Sequence, residues 1–262
     1  MIDYVRGWAL ITGASAGIGA EFARQLAGEG YALVLVARRV QRLTELKLEL
    51  EKKVPVKVCA LDLSKSDAVS NLEQFCEEES IKVDLLINNA GFGSCGKFLE
   101  LDLDRELEMT DLNIRAMLEL SHRFAKAMVQ KGSGKILIVA SCGGFQPGPG
   151  MNTYFATKAF DLHFAEALDE ELLGTGVRCS VLCPGPTATE FFDVAGAKSL
   201  KATPMPSMNV KDVVAYTIQK MDQGQRIIIP GGLNKLAAFC YRFFPRRLIT
   251  SILGKVLLHR SK

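Results

Sequence analysis

Seven short runs of β-branched and apolar residues punctuate the chain, at 8–12, 32–37, 54–59, 83–87, 135–140, 177–183 and 226–229. Most are apolar at nearly every position rather than at every second one, which is the mark of strands covered on both faces. Segments of helical periodicity over 17–29, 40–52, 66–80, 104–131, 153–173 and 209–222 supply the covers. Strand–helix–strand spacing of this kind lays strands parallel between two helical layers, so the expected class is α/β with a doubly wound, parallel, seven-stranded sheet. The stretch 104–131 is long enough that a bend or loop is expected before its last turns.

Composition supports one large core. The 262 residues are 48% apolar and 23% charged, and no collagen, heptad or low-complexity period runs through them. No Pro/Gly/Ser-rich linker divides the series, so a single domain over 1–232 is expected, followed by an extension over 233–262. The net charge of +3 gives no argument for nucleic acid, and no reading module accompanies it. Seven cysteines form an odd set without Cys-x-x-Cys or metal-ligand spacing, which reads as free thiols in a reducing cytoplasm. The amino terminus lacks the apolar stretch and cleavage site of a signal peptide, and no run of 18 uncharged apolar residues suggests a membrane span.

After the first run comes Thr12-Gly13-Ala14-Ser15-Ala16-Gly17-Ile18-Gly19, leading directly into a helix. Residues without a bulky Cβ let a diphosphate approach the backbone, and the open N–H groups of a helix start receive its charge. The spacing Gly-x-x-x-Gly-x-Gly is not a P-loop, because no Gly-Lys-Ser/Thr follows. At the end of the second run the chain reads Ala37-Arg38-Arg39. A carboxylate there would accept ribose hydroxyls, whereas guanidinium groups suit an added phosphate, so NADP(H) is expected over NAD(H). Asp62 stands where it can accept from an adenine amine, with Leu63 beside the ring.

Tyr154 and Lys158 lie four apart on one expected helix and share a face. An ammonium beside a phenol stabilises the phenolate, so the expectation is a lowered Tyr154 pKa. Ser141 follows an apolar strand at its carboxyl end, where open α/β sheets place their ligands.

Together, Thr12 to Gly19, Asn88-Asn89-Ala90-Gly91, Asn113, Ser141, Tyr154-x-x-x-Lys158 and Pro184-Gly185-Pro186-Thr187 resemble the short-chain dehydrogenase/reductase family, in order and spacing, over roughly residues 7 to 230. Ala-Arg-Arg after the second strand and the run from Tyr154 to Phe160 are most similar to its bacterial oxidoreductase branch, itself similar to steroid and 3-oxoacyl reductases. The resemblance implies a Rossmann-type fold and NADP(H)-dependent interconversion of a carbonyl and an alcohol without a metal. It implies Tyr154 as acid/base, Ser141 orienting the carbonyl, Lys158 on the nicotinamide ribose, and Asn113 anchoring a water of a proton relay. Gly13, Ser15, Ala16, Gly17, Ile18, Gly19, Arg38, Arg39, Asp62, Leu63, Asn89, Ala90, Gly91, Pro184, Gly185 and Thr187 would join Tyr154 and Lys158 in holding the cofactor. Two positions depart from the pattern. Ala16 stands where many NADP-preferring relatives carry a basic residue, and Cys142 where a second serine is frequent and is read as a pocket wall. A nucleotide sensor or scaffold on the same fold is the alternative.

The segment 186–208, with Pro186, Pro204 and Pro206 around a short helix near 191–197, reads as a substrate flap. Phe92, Phe145, Gln146, Met151, Phe191, Phe192 and Met205 are candidate walls, and they favour an apolar or lipid-like substrate. From Gln223 onward there are eight basic residues and no acidic one, beside an apolar stripe interrupted by Pro245. Packing on the body or on another subunit is the first reading of this tail, peripheral contact with the inner face of a membrane the second, and disorder the third. The family resemblance implies a homodimer or homotetramer through the helices of 104–131 and 153–173.

Overall fold

The computed structural model describes residues 5–197 and 207–258. The seven expected strands form: β1 (Trp8–Thr12), β2 (Ala32–Ala37), β3 (Val56–Ala60), β4 (Val83–Asn88), β5 (Gly134–Val139), β6 (Val177–Leu182) and β7 (Ile227–Ile228). They make one parallel sheet in the order β3-β2-β1-β4-β5-β6-β7. Strand order therefore reverses between β1 and β4, and the connections leaving those two strands part company there. The crevice that results, at the carboxyl ends of the strands, is where such sheets bind ligands. β3 starts later than the apolar run because Pro55 has no N–H for the ladder, although its carbonyl accepts from Leu33 N at 2.9 Å.

Burial explains the near-continuous apolar runs. Leu10, Val34, Val36, Leu86, Ile136, Ile138 and Val181 face α3 (Ala68–Glu78), α5 (Met117–Lys131) and α6 (Asn152–Glu171). Their alternates Ala9, Ile11, Leu33, Leu35, Leu85, Ile87, Leu137 and Leu182 face α1 (Gly17–Gly28), α2 (Val40–Leu50) and α8 (Val210–Asp222). Fixing α6 against the sheet edge is a buried carboxylate: Asp169 accepts from Arg178 Nε on β6 and from Arg226 Nε just before β7, both at 2.9 Å, and from Cys179 N at 3.0 Å. These charge-assisted bonds hold its carboxyl below the usual range against the opposing effect of its burial.

The 104–131 stretch is not one helix with a bend near its end. It consists of α4 (Leu103–Thr110), a wide π-helical turn over Asp111–Ala116, and α5, so the irregularity falls in its first half. At the centre of that turn Asn113 spends its side chain on other elements. Its Oδ1 accepts from Phe92 N at 3.2 Å, and its Nδ2 donates to Phe92 O at 3.0 Å and to Thr157 Oγ1 at 3.1 Å. A single π-helical turn between two α-helices is a common feature of functional sites.

Within the segment 186–208 the chain forms the short helix α7 (Phe191–Val194), while Met205 and the remainder of 198–206 lie outside the described residues. The tail folds as α9 (Gly232–Cys240) and α10 (Arg246–Leu258), with Pro245 between them. It divides its apolar residues. Asn234 is buried against Gly185, and Leu253 and Leu257 reach the cluster around Met151 and Tyr154. Leu236, Phe239, Phe243, Phe244, Leu248 and Ile252 are exposed. Among the described residues, no helix is long and apolar enough to cross a membrane.

Candidate active site

The glycine-rich turn joins β1 to α1 at the strand-order reversal. Gly13 and Gly17 have φ of +66° and +54°, a region costly for side chains. A Cβ on Gly19 would lie 2.4 Å from Gly13 O, so the helix starts against the turn itself. Thr12 Oγ1 accepts from both Asn89 N and Ala90 N at 3.0 Å, and Asn89 Nδ2 donates to Thr12 O at 2.8 Å. The end of β4 thus staples the turn in place. Ala16, the N-cap of α1, offers no side-chain hydrogen bond, which leaves first-turn N–H groups for an anion. Beside this turn opens a cleft of about 700 Å³, bounded by Ser15, Ala16, Gly17, Arg42, Thr187 and Glu190 among others.

At the end of β2 the basic residues divide. Arg38 turns onto Glu108 at 3.0 Å, with Asp62 at 3.7 Å. Arg39 donates to Ser15 Oγ at 3.1 Å and to Glu190 at 2.9 Å, and Arg42 donates to both oxygens of Glu190 at 2.7 and 2.8 Å. Sequence reasoning passed over Arg42, in the first turn of α2, and Glu190. Asp62 accepts from Ser64 N and Oγ, and the neighbouring Leu63 is buried.

Ser141 caps the turn after β5 by accepting from Gly143 N at 3.0 Å, and it is close enough to hydrogen-bond with the Tyr154 phenol. Tyr154 and Lys158 share the inward face of α6, both buried, with Lys158 Nζ 6.0 Å from the Tyr154 ring centre. Lys158 Nζ donates to Val139 O and to Asp161 Oδ2, each at 2.8 Å. A Cβ on Gly91 would lie 3.0 Å from Asn113 Oδ1 and 3.6 Å from Lys158 Nζ, so the backbone of Gly91 passes close to both side chains. The chain thus gathers Ser141, Tyr154, Lys158, Asn113 and Gly91 from four segments. On the far side of the crevice Pro184 O accepts from Cys142 N, and Thr187 Oγ1 donates to Gly185 O.

Residues 7–199 match the family model described as short chain dehydrogenase. The chain belongs to the short-chain dehydrogenases. It is 34% identical over 218 residues to sulfoacetaldehyde reductase 2 of Chromohalobacter salexigens, which covers 79% of this chain and 86% of that one. It is also 31% identical over 264 residues to a very-long-chain 3-oxoacyl-CoA reductase of Pyrenophora tritici-repentis, covering 97% of this chain and 73% of that one. Among solved structures, a short-chain dehydrogenase from Sphingobium yanoikuyae in complex with NADPH superposes with a TM-score of 0.82 at 32% identity, covering 94% of this chain and 95% of that one. The two named reductases act on different carbonyls, so the likeness establishes the family and a nicotinamide-dependent oxidoreductase, not a branch.

In this short-chain dehydrogenase the electrostatics of Tyr154 differ from the expectation drawn from its spacing. Burial pushes the phenol up and outweighs the pull of Lys158 and Ser141, with Asp161 and Cys142 pushing it further up. For Lys158, burial works against the charge, but the Asp161 carboxylate and Tyr154 prevail and raise the ammonium's pKa. Phe191 from the flap packs on Tyr154 with ring centres 4.9 Å apart, and Phe92, Met151, Phe192 and Leu257 complete an apolar surround. Phe145 packs against the main core instead. The wall therefore includes α10, a contribution that spacing alone did not assign.

Burial raises the Cys142 thiol to about 12, and its Sγ lies 3.3 Å from Cys183 O. A thiol so held stays protonated at neutral pH and is a poor nucleophile. Cys142→Ala is expected to leave turnover within the same order of magnitude, and Cys142 is expected to resist alkylation in the native protein. Both are checked by rate measurement and by mass spectrometry after iodoacetamide treatment.

Proposed function

We propose that the protein reduces a carbonyl to an alcohol, or runs the reverse reaction, with NADP(H), on an apolar or lipid-like substrate. The observation that carries this is the meeting of half-buried Ser141 with the buried Tyr154 and Lys158 at the carboxyl edge of β5, across the crevice from the glycine turn. The cradle suits a dinucleotide, because its glycines leave no Cβ in the way and its helix start is uncapped. Gly13, Ser15, Gly17 and Gly19 would hold the diphosphate, Asn89, Ala90 and Gly91 the pocket beyond it, and Pro184, Gly185 and Thr187 its far wall. When bound, the nicotinamide supplies or accepts a hydride. Ser141 then orients the substrate oxygen, Tyr154 delivers or receives the proton at that oxygen, and Lys158 adds positive charge beside the phenol. Asn113 keeps the loop after β4 and α6 in register around them through Phe92 and Thr157. The NADPH-bound relative supports the cofactor reading.

The preference for NADP(H) rests on Arg38, Arg39 and Arg42. Arg39 and Arg42 already converge on one carboxylate, and a phosphate ester suits the same pair. Arg39→Ala combined with Arg42→Ala is expected to weaken NADPH binding about 10- to 100-fold, the worth of one or two charge-assisted hydrogen bonds, and to leave NADH binding little changed. Fluorescence titration with each cofactor reads this. Equal losses for both would reject the phosphate reading. A carbonyl panel of 3-oxoacyl thioesters, steroids, retinal and short aldehydes, followed at 340 nm in the same cuvettes, tests the function itself. The reading predicts oxidation of NADPH selective for apolar members, and failure to bind either cofactor would overturn it.

A further inference from the structure

Tyr154, Lys158 and Asp161 stand at i, i+4 and i+7 of α6, and all three are buried on its inward face. Asp161 is 1% exposed, and its Oδ2 receives Lys158 Nζ at 2.8 Å. Its other oxygen, Oδ1, is buried without a hydrogen-bond partner among the described residues. Burying a carboxylate costs several kcal/mol unless it is fully compensated. Along the same helix Leu162 and Ala165 fill the core with apolar groups, so packing alone does not call for a charge here.

We propose that Asp161 is a positioning residue of the catalytic group: its carboxylate anchors Lys158 and offsets the ammonium's charge, which keeps Tyr154 a phenol able to donate its proton at neutral pH. The proposal rests on the assignment of Tyr154 as acid/base made above. It follows from what surrounds the phenol. The ionisable neighbours acting on Tyr154 are Lys158 and Asp161 from its own helix and Cys142 from the turn after β5. Lys158 also meets Cys183 after β6, and Cys183 feels Glu166 from α6. Burial pushes both thiols up, Cys142 to about 12, so neither carries charge at neutral pH. The field at the phenol is then set by Lys158 and by Asp161, whose own carboxyl burial pushes up while the ammonium beside it pulls it down. An unopposed ammonium would favour phenolate, and Asp161 cancels much of that pull.

The test is Asp161→Asn, which keeps the shape and removes the charge. The alkaline limb of kcat/KM for carbonyl reduction is expected to move to lower pH by on the order of one unit, the size typical of removing a charge a few ångströms away. The ultraviolet phenolate difference spectrum of Tyr154, isolated by subtracting Tyr154→Phe, is expected to shift in the same direction without any substrate. Asp161→Glu, which restores the carboxylate, is expected to return both readouts toward the parent. A limb and spectrum that stay put or move to higher pH overturn the proposal, while leaving the role of Tyr154 intact. If instead Tyr154→Phe retains full activity, the acid/base assignment fails, and with it the proposal. Should Asp161→Asn fail to fold, Asp161→Ser takes its place, and loss of the fold in both assigns Asp161 to stability alone and overturns the positioning role.

Discussion

Tyr154→Phe is expected to bind NADPH as the parent does and to reduce carbonyl substrates about 10²- to 10⁴-fold more slowly, the range that a positioned general acid contributes. The change removes one oxygen and little else. The ring keeps its packing on Phe191 at 4.9 Å and its edge contact with Phe155 at 6.1 Å, so the apolar surround has no cavity to collapse. Lys158 stays bonded to Val139 O and Asp161, neither of which involves the phenol. Ser141 keeps its bond from Gly143 N. What disappears is the proton source at the substrate oxygen. Cofactor fluorescence titration and steady-state rates at 340 nm separate the two properties, and full turnover in this variant would remove Tyr154 from the chemistry.

Gly19→Ala is expected to weaken binding of either cofactor at least tenfold and to lower the melting temperature. An ideal Cβ at this position meets Gly13 O at 2.4 Å and Asn89 Nδ2 at 2.5 Å. The first of these is backbone in a turn whose own geometry depends on φ of +66° at Gly13 and on three hydrogen bonds between Thr12 and the segment Asn89–Ala90. Gly13 O is backbone, and Asn89 Nδ2, although a side-chain end, is tied to Thr12 O at 2.8 Å, so the turn or the start of α1 has to shift. Overpacking of this kind costs roughly 1–3 kcal/mol. The strain falls on the residues that would face a diphosphate, so binding suffers along with stability. Gly28→Ala, at a glycine of the same helix with open space around it, is the matched control and is expected to leave binding unchanged. Calorimetric melting and cofactor titration of the two variants give the comparison, and parent-like binding by Gly19→Ala would reject the cradle.

How much of this was legible beforehand follows from the range of the interactions. Strands could be read one by one because a parallel sheet covered on both faces demands apolar residues at successive positions, as at Ala32–Ala37, where all six are buried. The spacing of Tyr154 and Lys158 put them on one face for the same local reason. Asp161 lies three residues beyond Lys158 on that face, and i, i+3 spacing was the signal that could have found it. Its effect on Tyr154 was not legible, because a phenol's ionisation depends on how deeply α6 is buried and on which neighbours lose their charge there. Spacing suggested that the ammonium would win, and burial decided otherwise.

By itself, then, the sequence determined the class of fold, the order of its strands along the chain, the glycine turn, and the identity of the residues that meet at the carboxyl edge. These are properties of local periodicity, backbone freedom and side-chain chemistry. Tertiary structure alone decided the division of the arginines at the end of β2, the interruption of the 104–131 helix at Asn113, and the partition of the tail between the wall around Tyr154 and an exposed face. Each of those depends on contacts between segments far apart in the chain, where packing and desolvation set the balance between alternatives that the local sequence permits equally.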